Sequence, residues 1–338
     1  MGLHEIWFVL LGVLLAGYAI LDGFDLGIGV VFLAARKDEH RRTLMNSIGP
    51  VWDGNLVWLI TFGGALFAAF PHVYATVFSG FYLALMLVLV ALILRAVALE
   101  FRSKEEGARW RQFWDVGFCV GSTLAALLFG VAVGNIMVGV KVGADMEYAG
   151  SFIDLLGPYP VLIGLLSVTM MATQGALYGV MKTEGALAEV LKAVFWRSFG
   201  AFLILLVVTT VTTILAVPAA LANFASVPVA WLVVILGVAG LGWAAIGTWL
   251  GKPLGALLAF SCCIACMVFL LGMRLFPTLV PSSLSPDWDL TIYNAASTPK
   301  TLSIMLTIVI VGMPLVLVYS FFIYRVFRGK ARVGRYGY

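Results

Sequence analysis

Nine stretches of about 20 or more mainly apolar residues follow one another along this chain, and its charges gather in the short segments between them. They run roughly 5–35, 50–70, 73–101, 113–140, 158–181, 196–222, 228–250, 253–276 and 301–327. Helices of that length in a soluble protein would carry charges at helical spacing along a solvent face, and these do not. Composition agrees: 62% of residues are hydrophobic and 11% are charged, far from the usage of a soluble domain. Bilayer hydrocarbon is therefore the main solvent. The expected fold class is an all-α polytopic membrane protein of about nine transmembrane helices. The N-terminal segment lacks the basic start of a signal peptide and its apolar run is too long for one, so the first helix is expected to be retained.

Basic residues set the expected orientation. Arg36, Lys37, Arg41 and Arg42 follow span one, and Arg102, Lys104, Arg109 and Arg111 follow span three. Lys182, Lys192 and Arg197 follow span five, Lys252 follows span seven, and Arg325, Arg328, Lys330, Arg332 and Arg335 lie in the tail. The opposite loops hold Lys141, Arg274 and Lys300 beside Asp145, Glu147, Asp154, Asp287 and Asp289. The N-terminus is thus expected outside and the C-terminus in the cytoplasm, which needs an odd number of spans. The net charge of +4 comes from these clusters, with no continuous basic face, so no nucleic-acid partner is expected.

A faint internal repeat aligns Asp22-Gly23-Phe24-Asp25-Leu26-Gly27 in span one with Gln174-Gly175-Ala176-Leu177-Tyr178-Gly179 in span five. Two four-helix bundles in parallel pseudo-repeat, followed by one peripheral helix, would give that pattern. The expected division is 1–145 for the first bundle, 146–290 for the second and 291–338 for the ninth helix and basic tail. The first half keeps carboxylates where the second has an amide and a phenol, so chemistry is expected in the first half.

Ionisable groups inside a bilayer are costly and need a reason. Asp22 and Asp25 in span one, Asp53 opening span two, Arg95 late in span three and Asp115 opening span four stand out, with Glu100 at the end of span three. Together they would form a polar inlet from the cytoplasmic side. At about 1.5 Å per residue, Asp25 lies roughly 15 Å from the inner end of its span, and Asp53 within about one turn of the inner end of its own. A structural reading stands beside this one. Asp53, three residues after Pro50, and Asp115 suit helix N-termini electrostatically, and Arg95 would pair with an aspartate to hold the bundle in register.

The three histidines, His4, His40 and His72, fall at span ends or in loops, so no pair sits mid-membrane to ligate a haem. There is no CxxCH sequence, Walker loop or Rossmann glycine fingerprint. Cys119, Cys262, Cys263 and Cys266 lie in apolar segments and are read as small packing residues, with no metal site expected. Gly27-Ile28-Gly29 and the run from Phe62 to Phe67, which contains Gly63 and Gly64, are expected to permit close helix approach.

The runs GYAILDGFDLGIG, NSIGPVWDGNLVWLITFGGALFAAFPHVYATVFSGFY, LRAVALEFRSK and RWRQFWDVGFCVGS, with TQGALYG and MRLFPTLVPSS, resemble subunit II of the cytochrome bd-type quinol oxidases over essentially the whole chain. The resemblance implies an enzyme that oxidises quinol and reduces dioxygen to water. It implies a partner, subunit I, that holds two b-type haems and one d-type haem and also the quinol-oxidising loop, with no cofactor bound by this chain alone. It implies that Trp52 and Asp53 of WDGN, and Asp25 of DGFD, serve proton delivery toward haem d and its integrity. Some members carry a quinone bound structurally in this subunit. The loop between spans six and seven is short here, which leaves open a ligand or a small accessory subunit on that side. Two rival readings are a proton-coupled secondary transporter, which should use both halves around a central site, and a purely structural membrane scaffold.

Overall fold

The structure, a computed structural model, describes residues 2–217 and 228–332. Arg335 of the basic tail and most of the loop between spans six and seven lie outside the described residues. The helices are α1 (Leu3–Val31), α2 (Asp38–Ile48), α3 (Trp52–Ala69), α4 (Pro71–Gly80), α5 (Tyr82–Phe101), α6 (Ala108–Val138), α7 (Pro158–Lys182), α8 (Gly185–Ala216), α9 (Val229–Trp249), α10 (Pro253–Leu275) and α11 (Pro299–Val326). Among the described residues eight helices, α1 and α5 to α11, are long and apolar enough to cross a membrane. The pair α2–α3, bent by 49°, passes the same test when taken together, and counted as one span it brings the number to nine. Proline opens α4, α7, α10 and α11, where its missing N–H is no loss and its fixed φ suits the first turn.

Two expected spans are drawn differently by the structure. The run 73–101 is not one helix: it breaks at Phe81 into α4 and α5. Beside the break, the Tyr148 ring of the α6–α7 loop packs on Gly80, where an added Cβ would come within 2.6 Å of the ring. The run 196–222 starts earlier, with α8 reaching back to Gly185.

Helix α1 is the hub. It packs against α3, α6, α7 and α10, and its closest approach is to α7. A Cβ on Gly27 would lie 1.9 Å from the Met171 carbonyl oxygen, and one on Gly175 would lie 2.1 Å from the Gly27 carbonyl carbon. Only two glycines let these backbones touch, as small residues do between membrane helices. The two halves of the faint repeat are therefore in direct contact, with Phe24 stacked on Tyr178 at 4.1 Å between ring centroids. The expectation for the 62–67 run is not met: added Cβ atoms on Gly63 and Gly64 would meet nothing within 4 Å. These glycines lie on the free side of α3 rather than against a neighbour in the chain.

One buried cluster runs through Phe24, Ile28, Leu177, Leu191, Phe195 and Phe260, joining α1, α7, α8 and α10. A second, at the opposite end, gathers Trp7, Leu11, Phe70, Phe81, Val140, Leu290 and Leu302 beneath the loops. Helix α11 has only Leu302 buried. Cys263 and Cys266 are buried facing α9, where Gly237 and Gly240 come close to them, and all four cysteines are free. They act as the small packing residues their setting suggested.

In the α6–α7 loop, Asp154 accepts hydrogen bonds from the Ser151 N–H (2.7 Å), the Ser151 hydroxyl (3.0 Å) and Lys141 Nζ (3.0 Å). The Ser151 backbone donor first, then Lys141 and the Ser151 hydroxyl, hold its carboxyl below the usual range, at about 2.

Candidate functional site

Of the expected residues, Asp22, Asp25, Arg95, Asp115 and Gln174 are buried, and they fall into two layers. The deeper layer surrounds α1. Arg95 reaches from α5 and grips Asp22 with both arms, Nη1 to Oδ2 at 2.9 Å and Nη2 to Oδ1 at 2.6 Å. Both side chains are shut away from solvent, so the two formal charges cancel in a dry, bidentate pair. The register role considered for Arg95 thus has a partner, Asp22.

Asp25 lies one turn along the same helix. Its Oδ2 accepts a hydrogen bond from Asn55 Nδ2 at 2.7 Å, and its Oδ1 is buried with no hydrogen-bond partner. Asn55 also donates to the Leu21 carbonyl at 3.2 Å and accepts from the Tyr324 hydroxyl of α11 at 2.8 Å. Asp25 is therefore held by one neutral amide from α3, which is itself tied to the first and last spans. From Asp25, six residues of α-helix and three of a 3-10 turn lead to the end of the element at Ala34, about 15 Å at the usual rises.

Asp53 does not join Asp25. It stands in the first turn of α3 on an exposed face and makes no hydrogen bond or ion pair among the described residues. Two residues along a helix turn the side chain by about 200°, so Asp53 looks outward where Asn55 looks inward. Trp52 is half-buried and packs against the main core cluster. The outward face of α3 also carries Gly54, Thr61 and Gly64. A carboxylate on such a face is costly against lipid.

The shallower layer is an ion-pair network at the basic end of the bundle. Asp115 accepts from Arg102 Nε at 2.5 Å and from Arg41 Nη1 at 2.7 Å, and Arg102 also reaches Asp38 at 2.8 Å. Arg111 adds a longer contact to Asp38 at 3.4 Å. Asp115 thus joins α2, the end of α5 and α6, in a network of three arginines and two aspartates. Glu100 is exposed near the end of α5. Gln174 is buried on α7 and donates to the Ile20 carbonyl at 2.8 Å, tying α7 to α1.

Sequence reasoning missed Asn55, Tyr324, Arg102 and Arg41. Asn55 had a signal, since an amide in an apolar run also needs a partner. Arg102 was counted as a loop charge, yet its side chain is 1% exposed. Around α1, the Tyr18 hydroxyl, Asp25 Oδ1, Arg95 Nε, Ser122 Oγ and Gln174 Oε1 are buried polar atoms without partners. Each such atom in a native interior calls for an explanation. The three histidines lie at the starts of α1, α2 and α4, away from the middle of any span.

Comparison with known proteins agrees with this architecture. Residues 3–327 match the family model described as cytochrome bd terminal oxidase subunit II. The chain is 39% identical over 354 aligned positions to the cytochrome bd-I ubiquinol oxidase subunit 2 of Escherichia coli strain K12, covering 95% of this chain and 93% of that one. It is 33% identical to the cytochrome bd ubiquinol oxidase subunit 2 of Bacillus subtilis, covering 97% and 96%. A chain in the structure of the bd oxidase from Geobacillus thermodenitrificans has the same fold, with a TM-score of 0.78 at 20% identity over 97% of this chain and 99% of that one. With its whole span of helices matched in sequence and in shape, this chain belongs to the cytochrome bd terminal oxidase subunit II family, as a multi-pass subunit of an oxidoreductase complex of the inner membrane.

Proposed function

We infer that this chain works beside a haem-bearing subunit I, which holds the b- and d-type haems, oxidises quinol and reduces dioxygen, and that it supplies part of the proton path to that site from the cytoplasm. The observation that carries this is the setting of Asp25: a buried carboxyl with one oxygen held by an amide and the other without a partner. Reducing dioxygen to water consumes protons, and a dry site needs titratable groups to pass them inward. Asp53, exposed on α3 within the first turn, suits the role of a collector at the membrane surface. Burial of that face against subunit I would bring its carboxylate to the seam between the subunits. Arg95, fully engaged by Asp22, is assigned a fixed counter-charge near Asp25 rather than a carrier's part.

The basic end with Arg36 to Arg42 faces the cytoplasm, as the charge bias of the loops favours. The division at 145 and 290 into two bundles and a peripheral helix is supported by the contact of the DGFDLG and QGALYG segments across the centre. A transporter would want carboxylates in both halves, whereas the buried ones here are Asp22, Asp25 and Asp115.

The test uses the assembled oxidase with Asp53→Asn and Asp25→Asn, each assayed for oxygen consumption with haem content measured in the same preparation. Slowed turnover with haem retained is the expected result. Loss of the d-type haem would assign these residues to structure, and full activity in both would route protons elsewhere.

A further inference from the structure

Helix α11 buries only Leu302 along its length, yet its Tyr324 hydroxyl donates to the Oδ1 of Asn55, the amide that in turn donates to the buried carboxyl of Asp25. That contact is held in place with unusual care. Lys182 Nζ, at the end of α7, donates to the carbonyls of Phe327 and Gly329, while Lys330 Nζ donates back to the Thr183 carbonyl at 2.8 Å. The Ala331 N–H closes the exchange on the Lys182 carbonyl at 2.8 Å. Phe327 is one turn beyond Tyr324, so this exchange fixes the height at which Tyr324 meets Asn55. The Tyr324 ring also stands edge-on to Phe24, at 6.5 Å and 79°.

The consequence lies in the chemistry of an amide. Asn55 has two N–H donors on one side and one oxygen on the other. Its nitrogen faces two acceptors, Asp25 Oδ2 and the Leu21 carbonyl, and its oxygen faces the Tyr324 hydroxyl. Turning the amide over would set its oxygen against the Leu21 carbonyl oxygen and give up the Tyr324 donor. Asn55 can therefore only donate to Asp25, and Oδ2 can only accept. A proton taken up by Asp25 must sit on Oδ1, the oxygen buried without a partner. The Tyr324 hydrogen bond also polarises the amide and strengthens its donation.

We propose that Tyr324 is a positioning residue for proton transfer: acting through Asn55, it dedicates Oδ1 of Asp25 as the oxygen that gains and loses the proton. This rests on the reading of Asp25 as a proton carrier. The titratable and charged groups around Asp25 are Tyr18 and Asp22 on α1, Arg95 on α5, Tyr178 on α7 and Tyr324 on α11. Of these, Tyr324 is the one whose hydroxyl is joined to Asp25 through a shared hydrogen-bonding amide.

Redox-induced infrared difference spectra of the assembled oxidase test this, with Asp25→Asn identifying the carboxyl band of Asp25. In Tyr324→Phe that band should move to higher frequency, because the carbonyl at Oδ2 has a weaker donor. Asn55→Leu, which removes the donor, should move it further the same way. Turnover in Tyr324→Phe should fall about fivefold with haem content unchanged, the size of one neutral hydrogen bond. Tyr319→Phe, on the exposed side of the same helix, is the control and should leave band and turnover unchanged. An Asp25 band that stays in place in Tyr324→Phe overturns the proposal while leaving Asp25 as a carrier. A spectrum in which Asp25→Asn removes no carboxyl band overturns the carrier reading itself, and the role of Tyr324 with it.

Discussion

Asp22 and Asp25 are both buried and stand one turn apart on the same helix, yet they have opposite surroundings. Asp22 is matched by a guanidinium along both oxygens, and taking away either partner would strand a charge in a dry interior. Asp25 takes its one hydrogen bond from a neutral amide and keeps one oxygen without a partner. The difference shows how one helix can hold an ion-paired carboxylate and one bound only by an amide side by side. Burial is common to both, so burial alone does not tell them apart; the number and kind of donors on the carboxyl does.

Breaking the comparison starts with the fixed pair. Arg95→Leu should destabilise the assembled subunit by about 3–5 kcal/mol, since it leaves Asp22 charged and alone. Thermal unfolding and the yield of haem-containing complex would show it. Combining it with Asp22→Leu should recover much of that loss, because the double variant has no stranded charge. Equal damage in the single and double variants would mean that the pair is not the unit described above.

Asp25→Asn should act in the opposite way. An amide replaces the carboxyl in the same shape, so stability should change by less than about 1 kcal/mol while turnover drops. A melting temperature lowered as far as in Arg95→Leu would erase the distinction between the two aspartates.

The smallest effect sharpens the contrast from outside the bilayer. Asp154 is an exposed carboxylate whose folded-state value is lowered to about 2 by Ser151 and Lys141. Its stabilising contribution is present above the unfolded value near 4 and is lost as pH falls through about 2. The gap in melting temperature between wild type and Asp154→Asn should therefore be small at neutral pH and close between about pH 4 and pH 2. A gap that persists at the acid end would assign it to something other than the charge.

The spans were legible because a bilayer allows few solutions: an apolar run near 20 residues with charges only at its ends must cross it. The break at Phe81 was not, because α4 and α5 are both apolar and the Tyr148 ring that packs beside the break comes from a distant loop. Asp22, Asp25, Arg95 and Asp115 were legible as charges in the wrong solvent. Which carboxylate Arg95 would choose was not, since Asp22 and Asp25 are a turn apart and only the placement of α5 decides. Asn55 escaped notice beside the louder Asp53, although their two-residue spacing on a helix already implies opposite faces. Tyr324 escaped because the last helix reads as a lipid-facing appendage. Gly63 and Gly64 misled for a related reason: a glycine pair signals room for a neighbour, and the chain itself does not supply one there.

The triad of Asp25, Asn55 and Tyr324 draws on α1, α3 and α11, and so on the earliest and the latest spans to leave the ribosome. For most of synthesis the Asn55 oxygen and the two lysines that trade carbonyls near the tail have no counterpart. The carboxyl of Asp25 acquires its settled geometry only when the final helix is inserted and locked. A nascent chain that stalls before α11 can thread its other spans and still leave the Asn55 amide without the hydroxyl that fixes it.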